Sequence, residues 1–400
     1  MLTVEEALSR TLELTSPLAA EEVTVDEALG RALLEDVLAR RTVPPFDNSA
    51  MDGYAVRAED LAQVPVSLRV VEKIFAGHAP TETVRTGQAA RIMTGARLPL
   101  GADAVVMQEH CTARGEAEVV VNTAVRRRQN VRDAGEDARA GAVLLAAGTG
   151  LGVPEAGLLW GQGIARVRVP RRPVVAIVSS GDELCAPSEL TEDKLVDTNS
   201  PALAALVRRA GGIPRLLGIA PDELEQVTHR FESGLFADLL LTVAGASVGE
   251  RDFTQDAFDR LGVALGFWKV AMKPGKPLAV GRKNRALVIG LPGNPTSALV
   301  NFELFVRPAI RKMLGHHEGR HVFVRAKLVG AFKKAAGLRH FVRVRAEWRD
   351  GELWARQLAT QSSGALSSSA GATHLMSVPT EATEITAGSM VELLPVSWVA

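Results

Sequence analysis

The stretch Pro173-Val-Val-Ala-Ile-Val-Ser-Ser-Gly-Asp-Glu183 decides the predicted fold of the middle of the chain. Its apolar run 174–178 predicts a buried strand, and two acids follow a glycine directly after it. Further strand-like runs then alternate with amphipathic helix patterns. This alternation predicts a mostly parallel sheet with helices on both faces, which binds ligands at the carboxyl ends of its strands. The predicted strands are 174–178, 214–219, 239–243 and 286–289, and the predicted helices are 201–210, 254–261 and those beginning at 223 and 296.

Working outward, the N-terminal region carries two capping-box patterns, Thr3 with Glu6 and Thr24 with Glu27. They predict two opening helices, the second continuing through apolar residues of 29–37 at helical spacing. From 46 to 141, short strand-like runs between Gly and Pro predict a β-rich domain, and strand patterns return without long helices after 315.

The predicted fold class is therefore a multidomain α/β chain with a β-rich inserted domain and a C-terminal β-domain. A chain of 400 residues is expected to divide into about two to four domains. The predicted domains are 1–45 with 142–170 (N-terminal, helical and elongated), 46–141 (β-rich), 171–317 (α/β) and 318–400 (C-terminal β).

Composition excludes several classes of function. Lys plus Arg and Asp plus Glu both number 46, which argues against a nucleic-acid or membrane surface. Cys111 and Cys185 form no CxxC pair, so a disulfide framework or a structural zinc site is not expected. The acidic N-terminus and the lack of a run of ~20 apolar residues predict a cytoplasmic protein.

Acids follow three of the predicted parallel strands. Glu183 comes after the first, Asp222 after the second and Asp252 after the third. Because the carboxyl ends of parallel strands meet at one edge of a sheet, these carboxylates can hold Mg²⁺, which prefers oxygen ligands. The sequence therefore predicts a magnesium site associated with phosphate chemistry.

The fourth predicted strand ends in Gly290-Leu-Pro-Gly-Asn-Pro295, directly before a helix. Pro292 and Pro295 restrict the backbone, and Gly293 allows close approach of an anion to the first N–H groups of the helix. A well-capped helix start without a ligand is the alternative interpretation. Three lysines, Lys269, Lys273 and Lys276, precede this loop and can offset the repulsion between two dianions, on the order of 10 kcal/mol at ~4–5 Å.

Eight motifs are spread over essentially the whole chain. The first motif, Phe46-Asp-Asn-Ser-Ala-Met-Asp-Gly-Tyr-Ala-Val56, could by itself be turn chemistry. The other seven are Arg91-Ile-Met-Thr-Gly95, Gly135-Glu-Asp137, Ser180-Gly-Asp-Glu-Leu184, Asp197-Thr-Asn199, Ser247-Val-Gly249 with Asp252, Lys273-Pro-Gly-Lys-Pro277 and Gly290-Leu-Pro-Gly-Asn-Pro295. In this order, the eight motifs resemble one family, the molybdopterin molybdenumtransferases of the MoeA and gephyrin E-domain type.

The resemblance implies an elongated homodimer whose site lies between the α/β domain of one subunit and the β-rich segment of the other. It also implies a reaction, in which adenylated molybdopterin and molybdate give molybdenum cofactor and AMP with help from Mg²⁺. Asp52, Glu183, Asp222 and Asp252 are expected to hold the metal. Carried over by motif, the catalytic residues are Asp52, Asp137, Glu183, Asp222 and Asp252, and the substrate-binding residues are Thr94, Ser247, Lys269, Lys273, Lys276, Pro292, Gly293, Pro295, Arg343 and Ser363.

One loop departs from the family pattern. Val243-Ala-Gly-Ala-Ser-Val-Gly249 stands where the family usually reads Ser-Gly-Gly-Val-Ser-Val-Gly, so Ala244 replaces a glycine at a position of close approach.

Two other functions remain open: a dimeric scaffold or molybdopterin carrier, and the adenylyltransferase that makes the adenylated pterin. The adenylyltransferase and the apo-molybdoenzymes downstream are also expected protein partners. The Gly-Gly-Thr-Gly type loop of the adenylyltransferase is missing from the chain, and the acids and lysines that a scaffold could lose are present.

Overall fold

A computed structural model of the chain describes residues 1–244, 253–317 and 321–399. These residues form two compact units. The first contains Met1–Leu34, Gly148–Val153 and the chain from Arg166 onward, and the second contains Glu35–Ala147 and Pro154–Ala165. The predicted fold class, a multidomain α/β chain with an α/β centre and two β-rich parts, is confirmed. The domain boundaries drawn from the sequence stay a prediction. In the described part of the chain, no helix is long and apolar enough to cross a membrane.

A six-stranded sheet forms the centre of the first unit. In spatial order, the first four strands pair with one another in parallel, as predicted. The fifth strand pairs antiparallel with the fourth, and the sixth pairs antiparallel with the fifth. The sequence pattern does not predict the last two, because Gly266 and Gly281 interrupt their apolar runs. In spatial order the strands are Ile213–Ala220, Val174–Ser180, Leu239–Ala244, Ala286–Pro292, Ala279–Lys283 and Ala264–Trp268.

Helices cover both faces of this sheet. Along the strand Val174–Ser180, Val175 and Ile177 pack into one buried cluster, whereas Ala176 and Val178 pack into another. Each fully buried aliphatic side chain stabilises the fold by ~1.5–3 kcal/mol, so both faces hold the strand ends in place. The helices of this unit are Val4–Glu13, Asn199–Arg209, Leu224–Gly234, Thr254–Leu261 and the continuous helix made of Pro295–Asn301, the π-turn Phe302–Val306 and Arg307–Met313, with short turns at Val25–Ala28, Pro187–Glu189 and Ser367–Ala370.

The first predicted N-terminal helix is confirmed and the second is wrong. Thr3 caps Val4–Glu13 with a complete capping box. Thr24 also forms a capping box, but its helix ends at Ala28. The following segment bonds elsewhere: the N–H of Gly30 donates to the carbonyl of Leu151 (2.9 Å). Pairing with a distant part of the chain therefore overrides the local helical spacing.

The C-terminal part folds as a closed barrel, which confirms the predicted β-domain. The strand Arg339–Arg349 pairs with Glu352–Gln357 on one side and with His374–Val378 on the other, so the sheet meets itself. Val324–Val329 and Met390–Pro395 complete the ring. Met272–Lys273 pairs with the start of Arg339–Arg349 and so joins the barrel to the α/β sheet.

The remaining short strands of the first unit form three two-stranded pairs. They are Ala20–Thr24 with Arg166–Pro170, Leu184–Cys185 with Leu195–Val196, and Phe332–Lys333 with Glu384–Ile385.

The second unit is β-rich, as predicted from its short runs. It contains a six-stranded sheet, two two-stranded sheets and the helix Val153–Gly161. The six strands, in spatial order, are Ala104–Met107, Gly53–Val56, Gln88–Ile92, Val66–Ile74, Glu118–Val121 and Cys111–Arg114. The two-stranded sheets are Asn48–Ser49 with Val131–Arg132 and Val37–Leu38 with Val143–Leu145, and 3₁₀ turns lie at Ala58–Leu61 and Gln108–His110.

Candidate functional site

A cavity of about 1150 Å³ lies at the carboxyl ends of the parallel strands in the first unit. Three strand ends contribute to its lining, through Ser180, Val243 and Pro292. Three further segments contribute to the walls: 195–199, at the start of the helix Asn199–Arg209; 272–277, whose Met272–Lys273 pairs with the barrel; and 361–366, within the barrel. A cavity at this edge is where a parallel α/β sheet is expected to bind a ligand.

Most of the residues predicted for the site in this unit line the cavity. Lys269, Asp222 and Arg343 belong to the same unit without lining it. Ser247 and Asp252 lie outside the described residues, and Asp52, Thr94 and Asp137 belong to the second unit. The predicted residues that line the cavity are Glu183, Lys273, Lys276, Pro292, Gly293, Pro295 and Ser363.

The lysine loop presents two exposed ammonium groups from one turn. Lys273 and Lys276 are both exposed, on either side of Gly275, whose φ of +91° favours glycine. Behind the turn, Asn301 is fully buried, and its Nδ2 donates to the carbonyl of Gly275 (3.2 Å). Lys269 also has a positive φ, +78°, which costs a non-glycine residue about 1–2 kcal/mol.

A neutral histidine borders the lysine loop. His340 pairs with Lys273 across the short parallel ladder. Burial, followed by the charges of Lys334 and Lys273, lowers the pKa of His340 to about 4. The imidazole therefore carries no charge at neutral pH, and the positive charge of this wall is that of its lysines.

Two polar residues of the Asp197-Thr-Asn199 motif have structural partners. Asp197 Oδ1 accepts hydrogen bonds from the N–H groups of Asn199 (3.0 Å) and Ser200 (3.1 Å), and so caps the helix Asn199–Arg209. Asn199 Nδ2 donates to the carbonyl of Gly293 (2.7 Å). This motif therefore fixes the backbone of the Pro292–Pro295 loop.

The helix that follows this loop does not offer all of its first N–H groups to the cavity. Pro295 has no N–H, and the N–H of Thr296 donates to the carbonyl of Ser363 (3.1 Å). The Pro292–Pro295 loop and the barrel loop thus share a direct backbone bond.

Arg343 supports the barrel loop from behind. Its side chain is 0% exposed, and its Nη2 donates to the carbonyls of Thr360 (3.3 Å) and Ser362 (3.1 Å). Gln361 exchanges hydrogen bonds with the backbone N–H and carbonyl of Arg343, each at 3.0 Å. Burial lowers the pKa of the Arg343 guanidinium, and Nε and Nη1 have no partner among the described residues.

Two of the acids at the sheet edge, Asp182 and Asp222, are hydrogen-bonded to each other, and a third, Glu183, lines the cavity. Asp182 Oδ1 accepts from the N–H of Asp222 (3.0 Å), and Asp222 Oδ2 accepts from the N–H of Asp182 (3.4 Å). Glu183 lines the cavity. Within residues 1–244, 253–317 and 321–399, no three His, Cys, Asp or Glu side chains are grouped as a metal ion would require. The predicted ligand Asp252 lies outside those ranges.

Ala244 ends its strand without disturbing the sheet. It is 4% exposed and pairs with Pro292 of the neighbouring strand. The methyl group is therefore accommodated at this position, and the loop after it lies outside the described residues.

In the second unit, Asp52 and Thr94 form a two-residue contact. The N–H and the hydroxyl of Thr94 both donate to Asp52 Oδ1, each at 2.7 Å. These bonds, the backbone bond foremost, lower the pKa of the Asp52 carboxyl, which is fully exposed. Asp137 is also exposed, and its N–H donates to the carbonyl of Val43 (3.1 Å).

The sequence patterns leave Asn199, Asn301 and Gln361 out of the predicted site. Asn199 belongs to the motif Asp197-Thr-Asn199, so a finer interpretation of that motif could have included it. Asn301 is a lone polar residue in the apolar run Ala298-Leu-Val-Asn-Phe302, and this isolation is its only signal.

Three family models match the chain. The MoeA N-terminal region (domains I and II) matches residues 2–163, a probable molybdopterin binding domain matches 176–312, and the MoeA C-terminal region (domain IV) matches 319–396.

Individual proteins are also similar to the chain. A relative from Bacillus subtilis named molybdopterin molybdenumtransferase is 35% identical over 98% of this chain and 93% of its own length. A relative of the same name from Haemophilus influenzae is 40% identical, over 80% of this chain and 79% of its own. The crystal structure of the molybdopterin biosynthesis moeA protein from Pyrococcus horikoshii superposes with a TM-score of 0.83 at 32% identity, covering 99% of this chain and 100% of that one.

Proposed function

The chain belongs to the molybdopterin molybdenumtransferase family, the transferases of molybdenum cofactor biosynthesis, and from that premise we propose how its cavity serves the reaction. The substrates are molybdate and an adenylated molybdopterin, and the products are molybdenum cofactor and AMP. Molybdate occupies the part of the cavity between the lysine loop and the Pro292–Pro295 loop. The dithiolene sulfurs belong to the pterin, so the protein's task is positioning and charge neutralisation.

The observation that carries this proposal is the pair of exposed lysines on one braced turn of the cavity wall. Molybdate is a tetrahedral dianion, and the phosphates of the adenylated pterin are also anionic. Lys273 and Lys276 place two cations against such ligands. Because Asn301 holds the turn between them, the two ammonium groups need little reorganisation when an anion binds.

The carboxylates predicted for the metal fit a divalent cation by their chemistry. Glu183, Asp222 and Asp252 would hold Mg²⁺ through oxygen ligands, which this ion prefers, and Asp52 would join them from the partner subunit of the expected homodimer. The chemistry that Mg²⁺ supplies when bound is neutralisation of the phosphate oxygens of the adenylated pterin. The Asp182–Asp222 pair supports this assignment, because it fixes two strand ends relative to each other.

Residues of the second unit contribute to the same proposal. The bonds from Thr94 lower the pKa of Asp52, so the carboxylate stays ionised throughout the neutral range and is available to a cation. Asp137 is a further exposed carboxylate of this unit. Ser247 would contact the pterin or nucleotide from the loop that follows Ala244.

The cellular setting also remains a proposal. A homodimer is expected from the resemblance described above, with the adenylyltransferase and apo-molybdoenzymes as further partners. A cytoplasmic location is supported by the two free cysteines among the described residues.

The test is anaerobic incubation of the purified protein with adenylated molybdopterin, Mg²⁺ and molybdate, following AMP release and reconstitution of an apo-molybdoenzyme. Lys273→Ala and Asp52→Ala should abolish molybdate-dependent AMP release. Lys333→Ala is the matched control, because Lys333 is exposed and pairs with Glu384 away from the cavity. If the wild type binds the pterin but shows no molybdate-dependent turnover, the protein is a carrier or scaffold instead.

A further inference from the structure

Three loops of the cavity wall, 272–277, 292–295 and 361–366, share a feature of their backbone. In each loop, one carbonyl accepts a hydrogen bond from a buried or nearly buried side chain of another element. Asn301 Nδ2 donates to Gly275, Asn199 Nδ2 donates to Gly293, and Arg343 Nη2 donates to Ser362. The three donors are 0%, 8% and 0% exposed, respectively. We call these contacts the carbonyl braces.

Two of the three donors stand behind the cavity wall. Gly275 and Ser362 line the cavity, whereas Asn301 and Arg343 do not. The carbonyls of Gly275 and Ser362 are therefore directed away from the cavity interior. In a trans peptide the N–H points opposite to the C=O, and neither Gly275–Lys276 nor Ser362–Ser363 is cis.

The N–H groups on the other side of these peptides have no protein partner. Within the described part of the chain, no group accepts a hydrogen bond from the N–H of Lys276, Asn294 or Ser363. All three residues line the cavity. Lys276 and Asn294 are exposed and Ser363 is partly exposed, so solvent reaches these donors and a ligand can take its place.

We propose that the carbonyl braces make the cavity a receptor for a tetrahedral oxyanion, by fixing in its wall three peptide N–H groups that have no partner among the described residues, those of Lys276, Asn294 and Ser363. Asn199, Asn301 and Arg343 are then positioning residues, which act through the backbone that they hold. The inference rests on the proposed function, in which the oxyanion is molybdate. It assigns recognition of the anion's oxygens to backbone donors in addition to the lysine ammonium groups.

Proline makes this arrangement rigid. Lys276 precedes Pro277 and Asn294 precedes Pro295, and a residue before proline is restricted to extended conformations. Donors held in place before the ligand arrives lose little freedom on binding. The directional N–H groups complement the lysines, whose flexible side chains supply charge with little directional preference.

The direct test is an amide NMR titration of the full-length ¹⁵N-labelled protein with sodium molybdate, alone and with Mg²⁺. The amide protons of Lys276, Asn294 and Ser363 should shift downfield and saturate together. The amide of Gly388, which already donates to the carbonyl of Leu328 (2.8 Å), should not move. If equilibrium dialysis shows that molybdate binds while the three cavity amides stay unmoved, the inference is overturned.

Variants provide a second, independent test. Asn301→Ala and Asn199→Ala should each raise the Kd for molybdate and its KM about tenfold, the effect of losing roughly one hydrogen bond to an ion. The kcat and the affinity for the adenylated pterin should change little. Asn122→Ala is the matched control, because its amide donates to Thr112 Oγ1 (3.1 Å) in the other unit.

The outcomes separate this inference from the proposed function. A lower melting temperature with an unchanged Kd for molybdate would mean that the two asparagines are only structural, and would refute the inference. Should Asn301→Ala fail to fold, Asn199→Ala and the titration still decide it. Absence of molybdate-dependent AMP release by the wild type would refute the proposed function, whereas normal turnover with unmoved cavity amides would refute the receptor alone.

Discussion

Gly275→Ala should weaken molybdate binding by about 30–70-fold. A Cβ at this position would lie 2.5 Å from Asn301 Nδ2 and 3.0 Å from its Cγ, and Asn301 is 0% exposed, so it cannot swing into solvent. The φ of +91° adds about 1 kcal/mol of backbone strain for alanine. Loss of the hydrogen bond to the Gly275 carbonyl adds about 1–1.5 kcal/mol. Because the loop must be restored to its original conformation when the anion binds, the sum of about 2–2.5 kcal/mol is lost from the free energy of molybdate binding. This loss corresponds to the stated change in affinity.

The matched control is Gly388→Ala. Gly388 has a similar φ of +79°, and an added Cβ would meet nothing within 4 Å, so the control carries backbone strain without a clash. Equilibrium dialysis with molybdate, and kcat/KM at limiting molybdate, should separate the two variants, while both should melt only a few degrees below the wild type. Equal molybdate affinity in Gly275→Ala and Gly388→Ala would refute the assigned role of the turn.

Other outcomes follow from single contacts. Thr94→Val removes the hydroxyl bond to Asp52 and keeps the backbone bond, so the pKa of Asp52 should rise partway toward its ordinary value and the acidic limb of the pH–activity profile should move to higher pH. The pKa of the His340 imidazole is about 4 in the folded chain and near 6.5 in the unfolded chain, so the unfolded chain takes up the proton first as pH falls. The free energy of unfolding therefore decreases between about pH 6.5 and pH 4. Melting curves of His340→Gln should show a smaller loss of stability over this pH range. Asp238→Ala removes the acceptor of two bonds from Arg171 (2.6 and 2.5 Å), and thermal unfolding should show a loss of about 1–2 kcal/mol, since Arg171 is partly exposed.

The strand ends that form the cavity could be predicted from the sequence because periodicity and punctuation are local. Each parallel strand is a short apolar run followed by Gly, Pro or an acid, as at Ser180-Gly-Asp-Glu183. The sheet order adds nothing to that prediction, since any parallel arrangement delivers the loops to the same edge. For this reason Glu183 and Pro292 were correctly expected at one place and line one cavity.

Other features depend on pairing between distant residues and could not be predicted in this way. The segment after Ala28 has helical spacing, yet it pairs with the chain around Leu151. Similarly, Lys269 precedes the lysine loop in sequence but does not line the cavity, and its N–H donates to the carbonyl of Leu278 (3.0 Å), nine residues later. Local pattern specifies an element's type more reliably than its length or its neighbours.

The carbonyl braces show where the sequence is silent for a physical reason. A buried amide such as that of Asn301 must find a partner, so its presence in an apolar helix predicts a hydrogen bond. It does not predict which carbonyl, because Gly275 lies 26 residues earlier and only the packed sheet brings the two together. Amide side chains do not titrate between pH 5 and 9, so the direction of the N–H groups that they set is independent of pH. The part of molybdate affinity that depends on these donors should therefore stay constant over that range, and any pH dependence of binding must come from ionisable groups of the cavity or of the ligand.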